Sequence, residues 1–156
     1  MKKYWPMAIS FLGVLLGDIA TKEYIMTHFP LYYSQVVIPG FFNLVHIQNK
    51  GVAFGFLGGA APIWRDVLLL LLPIVAMSGI LIFAFCYPQQ NKGVLLSLGG
   101  ILGGALGNLI DRFRFRAVID FLDVYWGNSH WPAFNIADSA ITVGVIFLVF
   151  CTMKKA

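Results

Sequence analysis

The sequence contains little charge. Only 12% of its 156 residues are charged, whereas 59% are hydrophobic. About a quarter of the residues in a soluble globular protein are charged, so this composition excludes an ordinary water-exposed surface and predicts an integral membrane protein. The net charge is +4, but the Lys and Arg residues are scattered and do not form the basic stripe that nucleic-acid binding requires. We therefore expect no nucleic-acid partner.

Several kinds of catalytic machinery are also missing from the sequence. It contains neither an H-E-x-x-H zinc motif nor a G-x-S-x-G nucleophile elbow. Cys86 and Cys151 lie within apolar runs and lack metal-ligand spacing, so we interpret both as small core residues. His28, His46 and His130 are isolated, and we expect them at the membrane interface or in loops. The sequence predicts neither a metal nor a cofactor.

Four apolar segments predict a single polytopic membrane domain over residues 1–156. The clearest segment has no charge between residues 67 and 91, and about 20 apolar residues suffice to cross the hydrocarbon core. The first segment could be a secretory signal, but it ends in Asp18-Ile-Ala-Thr-Lys22 and not in a small-residue cleavage site. We therefore interpret it as a retained helix. The expected spans are about 4–26, 67–87, 93–110 and 135–153, with extracytoplasmic connections at 27–63 and 111–134.

The distribution of charge predicts the orientation of the chain. Lys and Arg accumulate in short cytoplasmic segments, and four spans place both termini on one side. That side contains Lys2, Lys3, Lys92, Lys154 and Lys155. We therefore expect both termini in the cytoplasm, and the acidic residues at or near the extracytoplasmic face.

The first long connection contains two patches that are typical of strands. Gln35–Ile38 and Phe42–Ile47 are rich in β-branched and aromatic residues, and Pro39-Gly40 separates them. We expect a small sheet here, lying on the membrane surface. The second connection is rich in charged and aromatic residues, which suit the membrane interface.

Glycines in the third apolar segment predict close packing between helices. Gly99, Gly103 and Gly107 form one stripe, and Gly100 and Gly104 form a second. Small residues at this spacing allow another helix to approach closely, because helix association in lipid depends on packing. The third segment therefore predicts a helix in close contact with its neighbours.

Polar residues follow these stripes and also end the first segment. Asn108 continues the second stripe, Arg112 follows one turn later, and Asp111 is adjacent. We expect these groups to be buried against a neighbouring helix at the outer membrane boundary. On the first segment, Lys22 follows Asp18 by four residues, which favours an intrahelical ion pair that braces the helix.

Asp138 and Asp120 are placed where an ionised carboxylate is costly. Asp138 lies near the outer end of the fourth span, and Asn135 shares its helical face. An ionisable residue at membrane depth costs about 2.5–3.5 kcal/mol on insertion scales and usually serves a function, although a structural pair with Arg112 is an alternative. Asp120 has apolar neighbours, and burial among them raises a carboxyl pKa. Two such acids can share a proton, so that one activates water while the other donates to a substrate carbonyl.

Asp123 is an alternative partner for Asp120. Their three-residue spacing permits both on one helical turn. However, Val-Tyr-Trp-Gly follows Asp123, so we expect this residue to face the interface. We predict that Asp120 pairs with Asp138 instead.

Five segments resemble, in order and spacing, the signature blocks of the lipoprotein signal peptidase (signal peptidase II) family. Together they extend over nearly the whole chain, and Val118-Ile119 stands where the family often has two valines. The segments are Asp18-Ile-Ala-Thr-Lys22, Asn49-Lys-Gly-Val-Ala-Phe54, Gly103-Gly-Ala-Leu-Gly-Asn-Leu-Ile-Asp-Arg112, Val118-Ile-Asp-Phe121 and Pro132-Ala-Phe-Asn-Ile-Ala-Asp138.

The resemblance implies an all-α membrane fold with four transmembrane helices and a small extracytoplasmic β-cradle, in the bacterial inner membrane. It implies that Asp120 and Asp138 are the catalytic dyad of an aspartic endopeptidase. The implied substrate is a prolipoprotein whose lipobox cysteine carries diacylglycerol, cleaved just before that cysteine; membrane lipids and globomycin-type inhibitors are further implied partners. The supporting positions that the family implies are Asp18, Lys22, Asn49, Gly51, Asn108, Asp111, Arg112 and Asn135.

Two other classes of protein are weaker alternatives. A small ion-coupled transporter would use the same acids as a proton relay, but the chain shows no inverted repeat and its acids gather on one side. A structural membrane subunit would leave the five ordered segments unexplained. Within the peptidase interpretation, the segment around Phe54 is a candidate lid.

Overall fold

The computed structural model describes residues 3–51, 63–86 and 91–153. Four helices lie within a few residues of the expected spans, although α3 continues five residues beyond the expected end. The candidate lid around Phe54 lies outside the described residues. In chain order the elements are α1 (Trp5–His28), β1 (Ser34–Ile38), β2 (Phe42–Asn49), α2 (Ile63–Cys86), α3 (Lys92–Phe115), β3 (Val118–Trp126), β4 (Ser129–His130) and α4 (Ile136–Met153).

The first glycine stripe brings α1 against α3. A methyl group on Gly103 would stand 2.6 Å from the carbonyl oxygen of Phe11, and one on Gly99 would overlap the backbone of Met7. Only glycine permits this approach. Gly99 pairs with Met7 and Gly103 with Phe11, so the residue numbers increase in the same direction along both helices. Helices α1 and α3 are therefore parallel and in close backbone contact, as the stripe predicts.

The second glycine stripe brings α4 against α3. A methyl group on Gly104 would stand 2.5 Å from the carbonyl oxygen of Ala137, and Gly144 of α4 lies against Ile101 in return. The two helices run antiparallel. Helix α3 is thus the central element, since most of its residues from Val94 to Asp111 are buried.

Helix α2 is the most exposed of the four. It packs through Ala84 against Val94 and Leu98 of α3, and it continues through Pro73. Within the described residues, α2 from Asp66 and α3 are long and apolar enough to cross a membrane, and the apolar part of α4 is shorter. Cys86 is exposed on α2, so its expected core position is wrong: α2 turns this side chain outward.

All four strands form one antiparallel sheet in the order β1-β2-β3-β4. The sheet predicted in the first connection is confirmed, but it also recruits β3 and β4 from the second connection. Backbone bonds between Leu122 and Phe134 then fix the start of α4 to β3. Ile119 and Phe121 of β3 pack on Ile25 and Phe29 at the end of α1, so the sheet rests on one end of the helices.

Candidate active site

The structure brings all the predicted site residues to the junction of the helices and the sheet. They come from three helices, two strands and the turn after β2. The set consists of Asp18 and Lys22 of α1, Asn49 and Gly51 at the end of β2, Asn108, Asp111 and Arg112 of α3, Asp120 of β3, and Asn135 and Asp138 at the start of α4.

Lys22 is the centre of a buried ion cluster. Its side chain is 2% exposed, and its ammonium lies 2.7 Å from Asp18 Oδ2 and 2.8 Å from Asp111 Oδ2. The Asp18 contact is an ion pair within one helix. The ammonium also donates to Asn108 Oδ1 at 2.9 Å. The predicted Asp18–Lys22 pair is confirmed, and Asp111 extends it to α3.

The same cluster fixes the start of α4. The other oxygen of Asp18, Oδ1, accepts from the backbone N–H of Ala137 at 2.9 Å, and Asn135 Oδ1 accepts from the backbone N–H of Asp138, also at 2.9 Å. The first N–H groups of a helix have no partner within the helix, and a carboxylate there also meets the positive end of the helix dipole. Asp18 and Asn135 therefore hold the turn that carries Asp138.

Two asparagine amides connect the two acids of the predicted dyad. Asn108 Nδ2 donates to Asp138 Oδ1 at 2.7 Å, and Asn135 Nδ2 donates to Asp120 Oδ1 at 2.8 Å. Asn135 Nδ2 also contacts Asn108 Oδ1 at 3.2 Å. Asp120 and Asp138 therefore belong to one hydrogen-bonded network.

The backbone beside Asp120 is held from both sides. Asp111 Oδ2 accepts from the N–H of Ile119 at 3.1 Å, and Asn135 Nδ2 donates to the carbonyl of Ile119 at 3.2 Å. Both partners belong to the helical layer. Position 120 is thereby fixed against the helices although it lies on a strand.

Burial dominates the electrostatics of Asp120, which is 2% exposed. Loss of water disfavours the ionised form, and it raises the pKa of Asp120 to about 7. The hydrogen bond from Asn49 lowers this pKa, the charge of Asp138 raises it, and Asn135 and Lys22 lower it by less. Burial therefore outweighs the two amide donors, as the apolar neighbours in the sequence predict.

Asn49 is oriented toward Asp120 by the turn that follows it. Its Oδ1 accepts from the N–H of Gly51 at 3.0 Å, so its Nδ2 faces Asp120 Oδ2 at 2.9 Å. Gly51 has a φ of +118°, which side chains rarely adopt, and a methyl group there would overlap Leu69 of α2. The backbone conformation of the turn therefore favours glycine at this position.

Arg112 is close to the acids but not bonded to them. Within the described residues it forms no ion pair, and its buried Nε has no hydrogen-bond partner. The structural alternative for Asp138, a pair with Arg112, is therefore not found in the part of the chain that the structure describes.

A cavity of about 590 Å³ opens beside Asp138. Asp138 is the one acid among its described lining residues. Asn49, which also lines the cavity, donates a hydrogen bond to Asp120. The segment between β4 and α4 forms another part of the wall. The lining consists of Asn49, Gly51, Arg112, Trp131, Pro132, Ala133, Phe134, Asp138, Ser139, Thr142 and Val143.

Asp123 does not face the interface, so that expectation is wrong. The residue is 7% exposed, and its carboxylate accepts from Asn43 Nδ2 at 2.8 Å and contacts His130 Nδ1 at 2.8 Å. Residues three apart on a strand point to opposite faces, so Asp123 points away from Asp120. The alternative Asp120–Asp123 pair, which requires a helical turn, is therefore not formed.

Sequence reasoning missed several positions around the site. His46 is buried and bonds to the Phe29 carbonyl, where an interface or loop position was expected. Ser139 and Thr142 line the cavity. They follow Asp138 by one and four residues, and this proximity in sequence could have indicated that they lie near it. Among the described residues, no three His, Cys, Asp or Glu side chains are grouped to hold a metal ion.

Comparison with known proteins agrees with the resemblance. The family model of signal peptidase (SPase) II matches residues 10–154. The lipoprotein signal peptidase of Syntrophus aciditrophicus is 48% identical over 142 residues, which are 91% of this chain and 88% of that protein. That of Maridesulfovibrio salexigens is 43% identical over 155 residues, 99% of each chain.

Solved structures of bacterial membrane enzymes share the fold. One, determined by the in meso method at 1.9 Å resolution, superposes with a TM-score of 0.82 at 31% identity, and the match covers 96% of this chain and 94% of that one. Another, at 2.3 Å resolution, gives a TM-score of 0.83 at 31% identity over 95% of this chain and 87% of that one.

Fold, buried acids and relatives together define the class, an aspartic peptidase of a bacterial membrane. More specifically, the chain belongs to the signal peptidase II family, whose members are lipoprotein signal peptidases. Membership means that it removes signal peptides from prolipoproteins.

Proposed function

We propose that this chain is an intramembrane aspartyl endopeptidase that cleaves diacylglyceryl-modified prolipoproteins just before the lipidated cysteine, with Asp120 and Asp138 as its dyad. One observation carries the proposal: two carboxylates are joined through the amides of Asn108 and Asn135, and one of them opens onto a cavity.

The environments of the two acids suggest how their roles divide. Asp138 accepts a hydrogen bond from an amide and faces the cavity, which suits an ionised general base. Asp120, whose pKa burial raises to about 7, suits the acid that holds the shared proton. Asp138 takes a proton from water, the water oxygen attacks the substrate carbonyl, and Asp120 donates its proton to the carbonyl oxygen. Asp138 then protonates the leaving amine, and Asp120 recovers its proton as the new carboxyl group forms.

The remaining predicted residues support this dyad. Asp18 and Asn135 hold the turn of Asp138, and Asn108 hydrogen-bonds to Asp138. Lys22 and Asp111 fix Asn108 and the backbone before Asp120. In addition, Gly51 orients Asn49 and Arg112 lines the cavity, where a substrate carbonyl oxygen is an acceptor for its free donors.

We infer that the chain is one polytopic domain of the inner membrane, with four spans, both termini in the cytoplasm and the dyad near the extracytoplasmic face. The parallel course of α1 and α3 supports this arrangement. Lys92 lies 5.9 Å above the ring of Trp5, so the helix ends that carry Lys3 and Lys92 are adjacent. Basic residues at that end and acids at the other agree with the positive-inside rule.

A cleavage assay with matched substrates tests the proposal. Purified enzyme is given one prolipoprotein peptide in two forms, with a diacylglyceryl-modified and with an unmodified lipobox cysteine, and mass spectrometry locates the cleaved bond. We expect cleavage just before the cysteine in the modified form only, and inhibition by a globomycin-type peptide. Equal cleavage of both forms, or cleavage elsewhere, would contradict the proposal, and loss of activity to a chelator with recovery in zinc would contradict the dyad.

A further inference from the structure

A second cavity, of about 520 Å³, lies between the start of α2 and the end of α3. One part of its wall is apolar and the other is strongly basic, and it shares Asn49 and Arg112 with the first cavity. The lining residues are Asn49, Lys50, Asp66, Val67, Leu69, Leu70, Arg112, Phe113 and Arg116.

Among the described lining residues of this cavity, the basic side chains outnumber the acidic ones. Lys50, Arg112 and Arg116 give three positive charges and Asp66 gives one negative charge, so the lining carries a net charge of +2. Within the described residues, none of the three cations forms an ion pair, whereas Arg114 on the same turn pairs with Glu23 at 3.6 Å. In the described part of the chain, the buried Nε of Arg112 also has no acceptor. A hydrogen-bond acceptor with negative charge would satisfy this wall.

Arg116 occupies a backbone position that favours glycine. It caps the end of α3 with a φ of +54°, in the left-handed region where helices usually end in Gly. An arginine here costs backbone strain that glycine would avoid. Strain retained at one position is a reason to ask what its side chain does, and this side chain lines the basic wall.

The position of the cavity identifies the kind of anion. Helices α2 and α3 are the two described helices long and apolar enough to cross a membrane, and the cavity lies at the first turn of one and the last turn of the other. The ends of helices that cross the hydrocarbon core reach the layer of polar lipid headgroups, and the apolar wall from Val67, Leu70 and Phe113 belongs to the same helices.

We propose that this cavity binds an anionic membrane phospholipid. Its phosphodiester lies between Lys50, Arg112 and Arg116, and an acyl chain lies along Val67, Leu70 and Phe113. This inference rests on the membrane placement in the proposed function but goes beyond it, since the diacylglyceryl group of the substrate carries no phosphate. A bound lipid would thus occupy a site beside the dyad without being cleaved.

Lipid retention by the full chain tests this proposal. The Asp120→Asn variant is used because lipid binding is measured without any cleavage. It is purified in detergent with equal amounts of phosphatidylglycerol and phosphatidylcholine of the same acyl chains, and native mass spectrometry counts the bound lipid. We expect preferential retention of phosphatidylglycerol. One basic residue near a lipid headgroup changes binding by roughly fivefold, so Lys50→Gln and Arg116→Gly should each reduce retention by about that factor.

The controls separate this site from general attraction to charge. Arg114→Gln removes a cation that is already paired, so it should leave retention unchanged, and Arg116→Lys should preserve it. Arg116→Gly relieves the strained backbone, so its effect cannot come from a damaged helix end. Equal retention of both lipids, or retention insensitive to Lys50→Gln and Arg116→Gly, would overturn the proposal. Displacement of the lipid by inorganic phosphate at a similar concentration would overturn the proposal and indicate a site for a soluble anion. The cleavage assay of the proposed function is a separate experiment, so its failure would not change the lipid-retention result.

Discussion

Two groups of acids lie side by side in this molecule, and they differ in what holds them. Asp18 and Asp111 face the ammonium of Lys22 at 2.7 and 2.8 Å. Asp120 and Asp138 are instead held by the neutral amides of Asn49, Asn108 and Asn135. The positive charge of Lys22 compensates the first pair, which we call the charge-locked group. Neutral amides hold the second pair, which we call the amide-held acids.

The difference distinguishes the structural carboxylates from the proposed catalytic ones. Asp18 and Asp111 lie beside the buried ammonium of Lys22, which compensates their charge. Asp120 is held by amides in a buried site, and burial raises its pKa to about 7. General acid–base catalysis works best with a pKa near the operating pH, so Asp120 is suited to proton transfer.

Substitution of either amide-held acid should have the largest effect on activity. Asp120→Asn and Asp138→Asn each remove a proton-transfer group, which contributes about 10²–10⁴-fold to a rate. We expect turnover in a prolipoprotein cleavage assay to fall to background for both variants. Their expression and thermal unfolding should remain close to those of the unmodified protein; if either variant cleaved at the normal rate, the dyad assignment would be wrong.

Substitution of the cation in the charge-locked group should affect stability most. Lys22→Met leaves Asp18 and Asp111 buried without a counter-charge, and breaking a buried pair in this way costs about 3–5 kcal/mol. We expect a large loss of free energy of unfolding, measured by denaturation in detergent. Arg114→Gln is the control, because its exposed pair with Glu23 contributes little. Similar stability of the two variants would contradict the distinction between the groups.

The pH dependence of activity should follow the amide-held pair. Asp120 has a pKa raised to about 7 from about 3.9 in an unfolded chain. The proton that it donates is therefore present below pH 7 and lost above it, and we expect turnover to fall by about tenfold per pH unit on the alkaline side. The same shift makes the group's contribution to stability decrease as pH rises between about 4 and about 7, by a few kcal/mol. A rate that increased through pH 7 would assign the proton to Asp138.

Asp123 should be the least sensitive of these acids for activity. It points away from the dyad and bonds to Asn43 and His130. Asp123→Asn should retain most of the cleavage activity. Its free energy of unfolding should fall by about 1–3 kcal/mol, because a buried group loses hydrogen-bond partners. An inactive Asp123→Asn beside an active Asp120→Asn, in the same membranes, would reverse the assignment.

The helices were predictable because each property that defines them is local. Apolar runs long enough to cross a membrane predicted α2 and α3, and the small-residue stripes predicted which faces of α3 meet other helices. The extension of α3 to Phe115 was not predicted, because residues 111–115 carry charges that resemble a loop. Of those charges, Asp111 joins the buried cluster, Arg112 lines the two cavities, and Arg114 forms an exposed pair with Glu23.

The partners of the acids were not predictable from local pattern. Asn43 lies 80 residues from Asp123, and Asn49 lies 71 residues from Asp120, so only the fold brings them together. Strand β3 was missed because Val118, Ile119, Asp120 and Phe121 are all buried. A segment covered on both faces shows no alternation of polar and apolar residues.

The buried ammonium also gives the amide chain a direction. Lysine has only donors, so the ammonium of Lys22 compels Asn108 to present its oxygen, and the amide nitrogen of Asn108 must then turn to Asp138. A residue on α1 thus determines which end of the Asn108 amide faces an acid on α4. A side chain that can only donate hydrogen bonds therefore fixes the orientation of the amide next to it.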